Sequence, residues 1–328
     1  MRKVKIVSTG KYLPKTVVTS MDVAKKMNTT AAWVEKKSGV KKRHFATDET
    51  SPQMGAKAAL EALENAGIEF NKIDALIGTC GTPAQPIPCT AALIQEALEE
   101  KESGVPCFDI NSTCLSFVTG LDVASSLIEQ GRFNRILLVS SERASVGLNY
   151  QEKESASLMG DGAAAVIIER SNESSHIICS KMETYSSGAR HAEIKGGGSN
   201  LHAIRGENAK EQDFYFKMDG KKIFKQASQM ILPFIDRLFF NTNINIQDFD
   251  LVIPHQASGM GLRVIQKKLK LKDHQFYNYI EDHGNTVASS IPMGLHNAIT
   301  KNKIKRGDKV LLLGTSAGFS VGGVAFEY

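Results

Sequence analysis

Asp109-Ile110-Asn111-Ser112-Thr113-Cys114-Leu115-Ser116-Phe117-Val118-Thr119-Gly120 is the stretch on which the reading of this chain turns. The apolar run over 105–110 predicts the end of a strand, and Asn111, Ser112 and Thr113 carry short polar side chains of the kind that cap helix starts. Leu115, Val118, Leu121, Val123, Ala124 and Leu127 then recur at roughly helical spacing. The pattern is a strand, a sharp turn and a helix whose first turn holds Cys114. Unpaired N–H groups and the positive end of a helix dipole favour a thiolate over a thiol, which makes Cys114 a candidate nucleophile. A buried cysteine packing as a small hydrophobe is the competing reading.

Strands alternate with helices on either side of this stretch. Helices are expected over 20–27, 33–37, 51–67 and 91–98, and strands over 4–10, 73–79, 135–140 and 163–168, which argues for an α/β chain with a mostly parallel sheet. The second half echoes the first. Asp74-Ala-Leu-Ile-Gly returns as Asp250-Leu-Val-Ile-Pro, and Arg135-Ile-Leu-Leu-Val-Ser-Ser as Lys309-Val-Leu-Leu-Leu-Gly-Thr, both at an offset of about 175 residues. A duplicated α/β unit follows, with residues 1–170 carrying the cysteine, residues 171–328 forming the second half, and a polar, irregular excursion over 171–213. Ligand sites in open α/β sheets lie beyond the carboxyl ends of strands, so groups that cooperate with Cys114 should come from the second half.

Composition narrows the class. At 42% hydrophobic and 23% charged residues the chain is an ordinary globular protein, and a net charge of +5 over 328 residues is too diffuse to argue for nucleic acid. Five cysteines without CxxC pairing suggest a reducing compartment and no structural metal site. No apolar run nears the ~18 residues of a membrane span, and the start carries no signal-peptide pattern, so the expected location is cytoplasmic, away from membranes.

Two partners for Cys114 stand out. His255 follows the apolar strand Val252-Ile-Pro, where catalytic loops begin, and Asn285 lies in the turn His283-Gly-Asn-Thr286 before an apolar helix. His283 competes with His255, which is preferred for its strand-end position. His44, His176, His191, His202, His274 and His296 are expected at the surface.

Ser112-Thr-Cys-Leu-Ser-Phe-Val-Thr-Gly120, His255-Gln-Ala, Gly284-Asn-Thr286 with Ser290-Ile-Pro292, Gly160-Asp-Gly-Ala163, and Met218-Asp-Gly-Lys221 resemble the motifs of the β-ketoacyl-acyl-carrier-protein synthase III family of condensing enzymes. The resemblance implies the thiolase-like duplicated α/β/α/β/α five-layer fold and a homodimer. It implies that Cys114 accepts an acyl group from an acyl-CoA, and that His255 and Asn285 stabilise the enolate formed as malonyl-acyl carrier protein loses CO₂. Backbone N–H groups of Cys114, Ala317 and Gly318 would bind the acyl oxyanion. Acyl-CoA and the carrier-protein thioester are substrates, and neither metal nor redox cofactor enters.

Binding residues carry over with departures. Trp33 matches a position that stacks on the CoA adenine, with Lys37 where the family usually has arginine, and Ser258 stands where the family usually has a pantetheine-binding asparagine. Ile87 matches a residue that shapes the partner subunit's acyl pocket, and Arg143 and Ala144 follow a strand whose end approaches that pocket. Arg143 would pair with a carboxylated acyl chain if it points inward. Arg263, Lys267 and Lys268 form a basic row suited to docking acyl carrier protein. The expected reaction is therefore a decarboxylating condensation in fatty-acid initiation or a specialised relative. The alternatives are acyl transfer to another acceptor, as in polyketide, alkylquinolone or biotin-precursor pathways, or a partner subunit of a heterodimeric synthase.

Overall fold

The computed structural model describes residues 1–202, 204 and 209–328. Two sheets share one plan. In the first, Val4–Tyr12 pairs antiparallel with Gly162–Arg170, which pairs antiparallel with Arg135–Glu142. Ala75–Gly78 then joins Arg135–Glu142 in parallel, and Cys107–Asp109 closes the edge, also parallel. In the second, His176–Thr184, Ser320–Glu327, Lys309–Ser316 and Leu251–Pro254 repeat that order and those directions. The fifth position is reduced to a parallel bridge between Val252 and Phe276.

The duplication extends to single hydrogen bonds. The Asp74 N–H donates to the Arg135 carbonyl at 2.9 Å and its carboxylate accepts from the Arg135 N–H at 2.9 Å. Asp250 and Lys309 do the same at 3.0 and 2.8 Å.

Alternation along the strands sorts apolar side chains into layers, because successive side chains point to opposite faces. Ile136 and Leu138 join Val310 and Leu312 in a central core with Leu121, Ala124, Leu295 and Ala298, from helices Ser116–Glu129 and Ser290–Thr300 between the sheets. Leu137 and Val139 face the outer helices Ser51–Ala66 and Thr90–Ala97. Leu311 and Leu313 face Gly220–Leu238 and Gly259–Lys268. The result is five layers, α/β/α/β/α.

Three expectations need correction. The excursion over 171–213 is not irregular from its start, since His176–Thr184 is a nine-residue strand and the counterpart of Val4–Tyr12; its polar face reads as loop, and part of the segment falls outside the described residues. His296 is buried, not at the surface: it lies on the central helix Ser290–Thr300 and its Nδ1 meets Thr9 Oγ1 at 3.1 Å. Cys114 lies in a 3₁₀ turn, Thr113–Leu115, ahead of the α-helix Ser116–Glu129, whose cap position, Leu115, offers no side-chain acceptor.

Glycine fixes one contact that matters for the site. Gly39, at φ +79°, ends helix Ala31–Ser38 directly against the start of helix Gly259–Lys268, where a Cβ on Gly39 would lie 2.8 Å from the Gly259 Cα. Both the left-handed backbone and the missing side chain are required. Gly39→Ala should therefore destabilise the protein by about 1–3 kcal/mol, read from the urea unfolding midpoint at unchanged slope.

Candidate active site

The 3₁₀ turn that carries Cys114 is held in a conformation β-branched residues rarely adopt: Thr113 has φ +52°. Asn111 supports it. Its Oδ1 accepts from the Thr113 N–H at 2.8 Å and its Nδ2 donates to the Gly81 carbonyl at 3.2 Å. On the other side, Thr113 Oγ1 donates to the Ala317 carbonyl at 3.2 Å, which joins the turn to the loop after strand Lys309–Ser316. That loop reverses through positive φ at Gly318 and Phe319, and the Ala317 N–H faces the Cys114 sulfur. Of the expected oxyanion groups, the backbone of Cys114 and of Ala317 faces the sulfur, and Gly318 follows at the bend of the loop.

Burial pushes the Cys114 thiol up to about 12, reinforced by the nearby Glu142 carboxylate and opposed by the N–H groups of Ala317 and Cys114. The expectation of a resting thiolate is corrected here. A single short turn supplies too few N–H groups to offset desolvation.

His255 stands at the end of strand Leu251–Pro254, its N–H donating to the Leu313 carbonyl at 2.8 Å. It shares a narrow gap with the cysteine turn: a Cβ on Gly314 would lie 2.8 Å from His255 Cβ and 3.1 Å from Leu115 Cδ2. Burial alone lowers its imidazole to about 4, so the ring is neutral at physiological pH. Its Nδ1 lies 2.7 Å from Ser290 Oγ. With the hydroxyl donating to Nδ1, the proton sits on Nε2, which is then a hydrogen-bond donor. In the sequence Ser290 stands out only as part of a motif; its position at the start of a core helix, four residues after Thr286, is the signal that points to it.

Asn285 is fixed by its backbone. Its N–H donates to the Leu158 carbonyl at 2.8 Å and its carbonyl accepts from the Gly160 N–H at 3.0 Å. Its Oδ1 accepts from the Val287 N–H at 2.9 Å, leaving Nδ2 with one long contact, 3.4 Å to the Ala257 carbonyl. His283, the competing histidine, sets its ring edge-on against Tyr279 at 5.0 Å.

The remaining residues divide into two regions. Trp33 is half-buried on helix Ala31–Ser38 and Lys37 is exposed one turn on. Through the Gly39–Gly259 contact this helix adjoins Gly259–Lys268, on which Arg263 and Lys267 are exposed and Lys268 half-buried. Ser258 caps that helix, its Oγ accepting from the Gly261 N–H at 3.1 Å. On the other side, Ala144 packs with Phe45, Leu148, Met159, Phe216 and Val287. Arg143 donates to the Thr47 carbonyl at 3.0 Å and lies near Asp161. Ile87 is 84% exposed.

A duplicated five-layer fold with cysteine, histidine and asparagine converging where its halves meet defines a thiolase-like condensing enzyme. A family model described as 3-oxoacyl-[acyl-carrier-protein (ACP)] synthase III matches residues 108–186, and one described as its C terminal matches residues 239–328. The beta-ketoacyl-[acyl-carrier-protein] synthase III of Aquifex aeolicus is 33% identical over 324 residues, 99% of each chain. A solved 3-oxoacyl-[acyl-carrier-protein] synthase III from Aquifex aeolicus superposes with a TM-score of 0.90 at 32% identity, covering 99% of this chain and 100% of that one. The synthase III from Pseudomonas aeruginosa superposes at 0.88 with 28% identity, over 100% and 98%. The chain belongs to the β-ketoacyl-acyl-carrier-protein synthase III family.

Because burial holds the sulfur as a thiol, alkylation of Cys114 by iodoacetamide should keep rising beyond pH 9, with no plateau near neutrality. Intact mass measured against pH checks this.

Proposed function

We propose that this chain catalyses the decarboxylating condensation of an acyl-CoA with malonyl-acyl carrier protein, giving a 3-oxoacyl thioester in fatty-acid initiation. The observation that carries the reading is the convergence of three differently prepared groups. Cys114 faces the Ala317 N–H, His255 is neutral with Nε2 as donor, and Asn285 keeps its Nδ2 lightly engaged.

The steps balance on these residues. The Cys114 sulfur attacks the acyl-CoA carbonyl while the N–H groups of Cys114, Ala317 and Gly318 receive the oxyanion; CoA leaves as the thiol with the proton lost by Cys114. Malonyl-acyl carrier protein then loses CO₂. The electron pair of the broken C–C bond forms an enolate whose oxygen is met by His255 Nε2–H and Asn285 Nδ2–H, donors already oriented before charge develops. The α-carbon attacks the acyl-cysteine, Cys114 leaves as thiolate and recovers a proton. A neutral donor suits this step, because an imidazolium would bind the ground-state malonyl carboxylate and favour the reactant.

Around this centre, Trp33, Lys37 and Ser258 are assigned to the CoA arm, and Arg263, Lys267 and Lys268 to the acidic carrier protein. Ala144 and its apolar neighbours, which reach Val287 beside the cysteine turn, are assigned to the acyl chain. Arg143 spends its guanidinium on the backbone of Thr47, which supports an uncharged acyl chain. Ile87, exposed on its loop, is assigned to the interface of a cytoplasmic homodimer. Among the described residues no helix is long and apolar enough to cross a membrane.

Incubation with acyl-CoAs from acetyl to dodecanoyl, followed by intact mass spectrometry, should add one acyl group, absent in Cys114→Ala. His255→Ala and Asn285→Ala should still gain the acyl group but lose malonyl decarboxylation by about 10²–10³-fold each. No adduct from any acyl-CoA would overturn the reading.

A further inference from the structure

Among the described residues, Glu142 is the carboxylate that faces Cys114, and the mechanism above gives it no part. It ends strand Arg135–Glu142 and is fully buried, and backbone rather than a cation holds it. Oε1 accepts from the Gly81 N–H, Oε2 accepts from Thr82 Oγ1 at 3.0 Å, and the N–H groups of Thr82 and Ala288 also face the carboxylate. Burial raises this carboxyl to about 7 against the opposing pull of those N–H groups, so above that pH it is an anion seated in a hole.

The internal duplication says which hole. Asn285 stands 174 residues after Asn111, and at that same offset Val287 repeats Thr113, with φ +51° against +52°, and Ser290 repeats Ser116. The Asn285 Oδ1 bond to the Val287 N–H repeats that of Asn111 to Thr113, and the Nδ2 contact to Ala257 O repeats that to Gly81 O. At this offset the counterpart of Cys114 is Ala288, and the counterpart of Glu142 is Ser316, whose neighbour Ala317 faces the Cys114 sulfur. The N–H that serves the acyl oxyanion in the first half therefore has a twin in the second, the Ala288 N–H, and the carboxylate of Glu142 occupies it.

We propose that Glu142 is a positioning residue: by filling the non-catalytic twin of the oxyanion hole it locks the Gly81–Thr82 loop and the Asn285 turn together and so sets the distance between Cys114 and Asn285. The chain of contacts is continuous. Gly81, whose N–H Glu142 accepts, receives Asn111 through its carbonyl, and Asn111 shapes the Thr113 turn. Ala288 follows Val287, whose N–H is bound by Asn285. Gly81 admits no alternative packing, since a Cβ there would lie 2.7 Å from Val287 Cγ1 and 3.2 Å from Glu142 Oε1. The nucleophile Cys114 and the enolate donors come from different halves, and Glu142 spans the seam between them.

The inference rests on Cys114 and Asn285 serving the proposed reaction, and Glu142→Gln tests it with two readouts. The amide keeps the shape but turns an NH₂ toward N–H donors that need an acceptor, so the two turns should part. Condensation kcat is expected to fall at least roughly 30-fold, with KM within about threefold and malonyl decarboxylation losing more than acyl transfer to Cys114. Removing the negative charge should meanwhile ease thiol ionisation, since Glu142 is the charged group facing Cys114 and its neighbour His255 is neutral. Iodoacetamide alkylation of Cys114 should therefore move to lower pH by roughly 1 unit. A general loss of structure would also relieve the burial of the thiol, carrying the curve down toward the ordinary cysteine value of 9.0 and abolishing acyl transfer, whereas loss of the carboxylate alone moves it by the smaller step and leaves acyl transfer in place. Glu142→Asp, which keeps the charge with shorter reach, should leave the alkylation curve in place and recover condensation to within about tenfold of wild type. Glu142→Gln with kcat within about threefold of wild type, or with an unmoved alkylation curve, would overturn the proposal. A wild-type protein that takes up no acyl group while the alkylation curves still separate would instead overturn the assigned reaction.

Discussion

The hydrogen bond from the Thr113 N–H to Asn111 Oδ1 is the constraint on which the site depends. A β-branched residue at φ +52° is costly, by about 1–3 kcal/mol, and persists only where its surroundings over-determine it. Here the surroundings are the Asn111 clamp on one side and the Ala317 carbonyl on the other. With the turn held, the Cys114 sulfur lies against the Ala317 N–H, and the helix behind it drives Leu115 and Leu121 into the core between the sheets. Catalytic geometry and core packing are consequences of one bend.

The protein uses that bend twice. In the second half the clamp is Asn285, so the residue that shapes the turn is also the residue to which the proposed reaction gives a substrate-facing amide. This dual duty explains why Asn285 is rigid without being tied up in competing hydrogen bonds: its Oδ1 is committed to the Val287 N–H, while its Nδ2 has only the 3.4 Å contact to Ala257. Ser290, at the head of helix Ser290–Thr300, places its Oγ 2.7 Å from His255 Nδ1, and a hydroxyl donating there puts the ring proton on Nε2. Segment 285–290 therefore carries Asn285 itself and the hydroxyl that meets the His255 ring, while the His255 backbone is held by its own bond to Leu313.

Much of this is legible in the sequence, for identifiable reasons. The strands that repeat at the 174–176 offset are buried on both faces, so their apolar runs survive as matching strings, and the five-layer duplicated fold follows from them. Cys114, His255 and Asn285 can be found because each follows a strand end or opens a helix. The strand His176–Thr184 escapes because it is largely half-buried and its apolar run, Ile177 to Cys179, is only three residues long before Ser180, Lys181, Glu183 and Thr184, with no period-two alternation to mark it. The protonation state of Cys114 escapes for a different reason. Helix position is local and visible, but desolvation is set by side chains from both halves and by Glu142, and no local pattern reports it. The sequence shows Ser258 as a binding position but not that its Oγ also caps a helix, nor that the glycine beside it serves the close approach to Gly39.

Why one half reacts and the other does not comes down to two positions. Cys114 has Ala288 as its twin, which removes the nucleophile, and Ser316 has Glu142 as its twin, which supplies an anion where substrate would otherwise place one. Had only the cysteine been lost, the second turn would retain a buried N–H with no acceptor, at a cost of about 1–3 kcal/mol. A carboxylate there satisfies the donor and excludes water from the seam between the halves. Burial, with the same carboxylate reinforcing it, raises the thiol of Cys114, so its sulfur rests protonated. The second half is thus no idle copy: its turn supplies Asn285 and Ser290, and its filled hole steadies the one that is left open for substrate.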